Sequence, residues 1–333
     1  MKKKKRSKLK RSKLVALSLA AIMAVSIGTV SASAMTLSQG DMVYSKRDSF
    51  WNNFFNQNIE SEYEDSAINL TRNYKSLATV SNKSVSSYKR KSVSVNGKVA
   101  SVKGITINGI EYIPFRQTAN LFGAAYNYNS SSATSTMSLS GLTVTATSGN
   151  YVIYANGRVL FSVSPTLIMS DGRMYIPAAT FAKAVGMKLT STATASSFTG
   201  SYSPLKSAEN YYRSDEVLWL ARIIHAESRG EPLLGQIAVG NVVLNRVKSK
   251  DYPNTIYGVI FDKKYGVQFS PVIDGSIYNT PSYNSVLAAK ICLEGFDTSE
   301  GAFFFLRPEM STSSWIPNNR PYLFSIGKHD FYK

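Results

Sequence analysis

Between Val93 and Thr199 the chain repeats itself, and a tandem repeat admits few folds, because each copy has to form the same local structure. Asn96-Gly97-Lys98 returns as Asn156-Gly157-Arg158. Gly109-Ile110-Glu111-Tyr112-Ile113-Pro114 returns 63 residues on as Gly172-Arg173-Met174-Tyr175-Ile176-Pro177. At the same offset Phe122-Gly123-Ala124 becomes Val185-Gly186-Met187. Each copy reads as a strand, an Asn-Gly turn, a strand, and a short helix opened by proline and closed by glycine. Phe115, Ala119 and Phe122 share one helical face, as do Ala178, Ala182 and Val185. Between the copies, Thr143 to Ala146 and Tyr151 to Tyr154 alternate as strands around Ser148-Gly149-Asn150.

The doubled Tyr-Ile-Pro, each followed by a glycine-ended helix, resembles the copper amine oxidase N-terminal-like domain. That resemblance covers 92–199 and implies a duplicated strand-rich α+β module, used as a spacer or wall-binding unit. Neither repeat holds a histidine or cysteine, so copper finds no suitable ligands there. The copies differ where Arg116 of the first is matched by Ala179 of the second.

Charge adds a compartment. The formal net charge is +17, but nine basic residues lie between Lys2 and Lys13 with no acid among them. An apolar run from Leu14 to Val30 and Ala32-Ser33-Ala34 follow, which predicts a secretory signal peptide over 1–34, cut after Ala34. The rival is an uncleaved anchor, but the apolar run is barely long enough to span and carries Ser18, Ser26 and Gly28. Removing nine charges leaves +8, which suits an anionic cell wall and predicts a secreted, wall-associated protein without a stable membrane anchor. No basic reader helix or aromatic-basic motif points to nucleic acid. Residues 35–91 are expected to form a helix and linker segment, with Phe50-Trp51 and Phe54-Phe55 at helical spacing and a Ser/Lys-rich linker over 81–91. The one cysteine, Cys292, lies in an apolar helical run and reads as a buried structural thiol. The two histidines, His225 and His329, show no H-E-x-x-H spacing, so no metal cofactor is expected.

A Ser/Thr-rich join over 190–204 sets off a second domain, 205–333. Ser214-Asp215-Glu216 is a helix start, and the helix runs to Glu227 and stops near Gly230. Leu220, Ile223 and Ile224 precede Glu227 by seven, four and three residues, so Glu227 ends an inward-facing stripe. A carboxyl desolvated by aliphatic neighbours holds its proton to higher pH, the state a general acid needs. An ion pair of Glu227 with Arg229 or Arg246 is the purely structural alternative. Glu231 is expected to face solvent or brace the turn.

The segments "LARIIHAESRGEPLLGQIAVGNVVLNRV" (220–247), "FSPVIDGS" (269–276) and "SIGKHDFY" (325–332) resemble the SleB-like cell wall hydrolases, a family that includes spore-cortex-lytic enzymes. The resemblance spans nearly all of 205–333, although the spore enzymes carry a different N-terminal module. It implies a lysozyme-like, mainly helical catalytic domain and hence an α+β chain overall. It also implies lytic transglycosylase action on peptidoglycan, of vegetative wall or spore cortex, between N-acetylmuramic acid and N-acetylglucosamine. The catalytic glutamate of the motif falls on Glu227. An N-acetylmuramoyl-L-alanine amidase and a non-catalytic wall-binding protein are the alternatives. Gln236, Asn245, Gln268, Phe269 and Tyr278 have the amide and aromatic character that sugar binding uses. Asp274 is the candidate second acid, though Asp-Gly is also a turn signal. His329 is expected to pack or hydrogen-bond, and Phe303 to Leu306 to form a buried strand.

Overall fold

The computed structural model describes residues 88–264, 266–311 and 314–333. The expected signal segment, the aromatic helix at 50–55 and residues 81–87 of the expected linker lie outside them. Among the described residues the N-terminal part is built from thirteen strands and two helices: β1 (Lys89–Val95), β2 (Lys98–Val99), β3 (Gly104–Ile107), β4 (Ile110–Pro114), α1 (Phe115–Leu121), β5 (Ala125–Asn129), β6 (Thr134–Leu139), β7 (Leu142–Thr147), β8 (Val152–Ala155), β9 (Arg158–Phe161), β10 (Leu167–Ile168), β11 (Met174–Pro177), α2 (Ala178–Val185), β12 (Lys188–Ser191) and β13 (Ala195–Thr199). One sheet runs β10-β11-β4-β3-β1-β13-β12 with β2 on β1, and a five-stranded meander runs β5 to β9. The Asn-Gly pairs turn as expected, with positive φ at Asn96 and Gly97 and at Asn156 and Gly157, as a two-residue type I′ hairpin requires.

The two copies meet. Strands β4 and β11 pair antiparallel, Tyr175 opposite Pro114, Ile176 opposite Ile113 and Pro177 opposite Tyr112. Ile113 and Ile176 are repeat equivalents, so the duplicated segments pair with each other about a local twofold. Helices α1 and α2 leave these strands at Pro114 and Pro177 and bury Phe115 and Phe181 edge to face, with Phe181 also against Phe198.

One boundary moves, and the join that follows the module shortens while the module still ends at Thr199. Lys89 to Lys91, expected in a linker, begin β1, where Lys91 is buried and ion-paired with Glu111. Thr190 to Thr199, expected in a join, complete β12 and form β13, which lies parallel to β1 and buries Phe198 and Ser196. Threonine and serine here alternate with core-facing residues, so composition concealed a strand pattern. The chain after β13 is pinned as well. Ser203 N–H donates to Val185 O at 3.1 Å and Leu205 N–H to Ala184 O at 3.3 Å. At Gly186, left-handed with φ 64°, an added Cβ would stand 1.7 Å from Ser203 O. Gly186→Ala is therefore expected to cost more than about 1 kcal/mol in thermal unfolding, through both strained φ and a backbone clash.

The C-terminal part is helical: α3 (Ala208–Tyr211), α4 (Ser214–Ser228), α5 (Leu233–Lys248), α6 (Ile256–Ile260), α7 (Pro271–Asp274) and α8 (Tyr283–Leu293), then β14 (Phe304–Leu306), α9 (Trp315–Asn319), β15 (Tyr322–Ile326) and β16 (His329–Tyr332). The last strands form a small sheet, β14-β16-β15. Helices α4, α5 and α8 share one core that includes Leu220, Ile223, Ile224, Ile237, Ala288 and Ile291. Cys292 is buried, its thiol donating to Ile237 O at 3.3 Å, with its pKa raised by burial. Among the described residues no helix is long and apolar enough to cross a membrane.

The two parts share a core. Val152 and Val159 of the meander belong to the helical cluster, and Phe161 meets Phe296 at 4.7 Å. Beside them Arg158 grips Glu294 through Nε and Nη2, both at 2.8 Å. Tyr212 OH and Lys183 Nζ complete the carboxylate's shell at 2.7 and 3.0 Å.

Candidate active site

Helix α4 has acids Asp215 and Glu216 in its first turn, where they complement the positive end of its dipole. Leu220, Ile223 and Ile224 are fully buried, as the stripe predicts, and carry Glu227 to the floor of a cleft. That cleft, about 1300 Å³, is lined by Glu227, Arg246, Gln268 and Phe269 on the helical side and by Phe304 and Trp315 across from them. Glu227 is half-buried and forms no hydrogen bond or ion pair among the described residues. The expected alternative, a salt bridge to Arg229 or Arg246, is not made. Its pKa is pushed up to about 7, chiefly by desolvation and further by the Asp274 charge, with Arg246 pulling the other way.

Arg246 is the second feature of the floor. It is 5% exposed, its Nε donates to Phe303 O at 2.9 Å, and its Nη1 is enclosed without an acceptor among the described residues. The guanidinium lies 5.2 Å from the rings of Tyr252 and Phe269 and 5.4 Å from that of Phe304. Burial lowers its pKa, while Tyr252, Asp262 and Glu227 favour the charged form.

The other sequence candidates divide. Gln268 and Phe269 share the cleft wall with Glu227. Gln236 does not reach it. It is buried, with Nε2 donating to Glu231 O at 3.0 Å and Oε1 accepting from Ser285 Oγ at 3.0 Å. Asn245 is also turned inward, bracing Ser299 and Ala302 at 2.9 and 3.0 Å. Both sit on faces of α5 that the helix pattern alone leaves indistinguishable from a cleft face. Tyr278 is exposed and lies against Trp219, outside the cleft lining. Asp274 ends α7, also outside the lining; its Oδ1 accepts the Ser276 N–H at 2.8 Å, and hydrogen bonds from the Ser276 side chain and backbone lower its pKa. It is a turn residue whose charge still reaches Glu227. The carboxylate that lines the cleft with Glu227 is Asp251, which sequence reasoning missed because it sits in a polar turn. Phe304 to Leu306 form a half-buried strand rather than a fully buried one, because Phe304 and Phe305 line the cleft.

Glu231 braces rather than faces solvent. Its Oε2 accepts the Lys328 N–H at 2.8 Å, and His329 Nδ1 lies 3.8 Å from Oε1, so the turn after α4 is tied to the terminal hairpin. His225 Nδ1 accepts the Ser282 N–H at 3.1 Å. In the N-terminal module, no histidine or cysteine is present, and no group of three metal-ligating side chains converges among the described residues, so the module does not fit a copper site.

Comparison with known proteins gives two family matches. Residues 230–332 match the cell wall hydrolase family, and 94–198 match the copper amine oxidase N-terminal domain. Glu227 lies just ahead of the first match. The spore cortex-lytic enzyme of Bacillus cereus is 42% identical over 124 residues, 37% of this chain and 46% of that one. That of Bacillus subtilis is 38% identical over 120 residues, 36% of this chain and 38% of that one. The chain thus spans under half the length of these curated relatives. The solved catalytic domain of the germination-specific lytic transglycosylase SleB from Bacillus anthracis is 42% identical, covering 37% of this chain and 98% of that one, with a TM-score of 0.34. The chain thus carries a cell wall hydrolase domain, similar in sequence to part of the spore cortex-lytic enzymes, and a copper amine oxidase N-terminal domain ahead of it.

Proposed function

We propose that the protein is an exported, wall-associated lytic transglycosylase that cleaves peptidoglycan strands between N-acetylmuramic acid and N-acetylglucosamine, with Glu227 as acid and then base. The observation that carries this reading is a single glutamate held at a cleft floor, without a hydrogen-bond or ion-pair partner among the described residues and with its pKa pushed up to about 7. Protonated Glu227 donates to the glycosidic oxygen as the bond to the muramic acid C1 breaks. The resulting carboxylate then takes the proton of the muramic acid C6 hydroxyl as that oxygen attacks C1 and closes the 1,6-anhydro ring. Because the attacking hydroxyl is tethered to the same sugar, its effective molarity is high and no second carboxylate is needed to activate water.

The test is to digest purified vegetative peptidoglycan and spore cortex and to identify the muropeptides by mass spectrometry. Anhydromuramyl ends are expected. Reducing ends would indicate a hydrolytic glycosidase, free peptides an amidase, and tight binding without soluble products a non-catalytic wall protein. In the same assay kcat/KM should be flat below pH 7 and fall about tenfold per unit above it. Raising the pH through the Glu227 pKa removes the proton that the first step requires. A profile unchanged to pH 9 would exclude Glu227 as the acid.

A further inference from the structure

The cleft holds an alternating stack of rings and guanidinium groups that the cleavage mechanism does not use. It starts at Phe269 on the floor, 3% exposed, with Arg246 at 5.2 Å and Phe304 a further 5.4 Å from that guanidinium. From Phe304 it continues to Arg320 at 4.7 Å and from Arg320 to Trp315 at 5.2 Å. Exposure rises along the stack, and the Trp315 ring at its outer end is 51% exposed. A large aromatic left open in a concave wall loses the burial that ordinarily holds such side chains in a fold. Here the ring nevertheless has two neighbours: Arg320 lies against it at 5.2 Å and Phe304 meets it edge on at 6.3 Å.

We infer that Trp315 is a stacking platform for a pyranose ring of the glycan strand, at a subsite separated from the Glu227 floor by Phe304 and Arg320. The axial C–H faces of a pyranose suit an indole ring as they suit few other surfaces. Indole also supplies contact area at little conformational cost. Arg320 contributes by holding the indole still and by presenting donors to hydroxyl and acetamido oxygens at the rim. The cleft volume, about 1300 Å³, exceeds the range typical of a single small-molecule site, which leaves room for sugars beyond the two that flank the scissile bond. This inference rests on the reading of the cleft as a glycan-cleaving site, and it concerns affinity for the strand rather than the chemistry.

The test compares wild type, Trp315→Ala, Trp315→Phe and the remote control Tyr128→Ala on solubilised glycan strands. Wild-type release of soluble products establishes the underlying reading; its absence would overturn that reading and this one with it. Given activity, Trp315→Ala should raise KM about tenfold with kcat held within about twofold, and Trp315→Phe should recover part of the loss. Tyr128→Ala, on the exposed N-terminal meander, should match wild type. An unchanged KM in Trp315→Ala, or a fall in kcat alone, would overturn the platform while leaving the cleavage reading intact. If Trp315→Ala does not fold, Trp315→Phe in a Glu227→Gln background decides. N-acetylglucosamine oligomers should shift the tryptophan emission of Glu227→Gln and leave that of the double variant unshifted. Equal shifts would overturn the proposal.

Discussion

Glu227→Gln is expected to abolish glycan cleavage to within a few parts in 10⁴ of wild type or less, while keeping the fold and wall binding. Glutamine has the size of the acid and can hydrogen-bond, and no ion pair of Glu227 is lost in the exchange among the described residues. What it cannot do is donate a proton to the leaving oxygen. A positioned acid or base contributes roughly 10²–10⁴-fold, and in the proposed mechanism Glu227 serves in both roles, so the loss should reach the upper end or beyond. The measurement is product release by wild type and variant, with circular dichroism and sacculus binding as fold controls. Two further variants test whether a second carboxylate acts: Asp274→Asn, whose charge raises the Glu227 pKa from outside the lining, and Asp251→Asn, inside it. Both should cost far less. Asp274→Asn should also move the upper limb of the pH profile slightly down, since removing a nearby negative charge eases ionisation of Glu227. A loss in Asp251→Asn or Asp274→Asn equal to that of Glu227→Gln would replace the tethered mechanism by a two-carboxylate one.

Glu294→Ala should be the most destabilising single change outside the catalytic core. Its carboxylate is 2% exposed and Arg158 6%, and the pair joins the meander to the end of α8. Removing one partner of a buried pair leaves the other charge uncompensated, at a cost of about 3–5 kcal/mol. For a folded unit of this size that is a melting-temperature drop on the order of 10 °C, and the two parts should still melt together. The Arg158, Tyr212 and Lys183 bonds, together with the Lys183 charge, outweigh desolvation and hold the Glu294 pKa below its ordinary value. Its contribution is therefore full above the ordinary glutamate range and is lost as pH falls through the depressed value, so Glu294→Ala should blunt the acid-side loss of stability. Scanning calorimetry from pH 7 to pH 3 reads both effects. Two separate transitions in the wild type would mean that the parts fold independently, against the continuity of their core.

Some of this was legible in the chain alone. The 63-residue repeat, its Asn-Gly turns and its proline-opened helices are local features, written in residues whose φ preferences act within a few positions. The stripe that ends in Glu227 is local too, since helical periodicity alone says which side chains lie above one another. Gln236 and Asn245 show the limit. They occupy helix positions as suitable as that of Glu227, but which face of α5 borders the cleft depends on where β14 and the neighbouring loops land, and those lie more than fifty residues away. Asp251, in a polar turn, and Trp315, at the start of α9, show it from the other side, since each joins the cleft lining only when distant segments close around it. Composition also misled where Ser and Thr alternated through β12 and β13, because a strand pattern needs a partner strand to give its inner face something to cover. The sequence by itself determined the repeat, the helix that carries Glu227 and the residue types available for chemistry, because these follow from near-neighbour sterics and periodicity. Only the tertiary structure decided the pairing of Ile113 with Ile176, the Arg158–Glu294 junction and the membership of the cleft, because each depends on long-range packing that no local preference encodes.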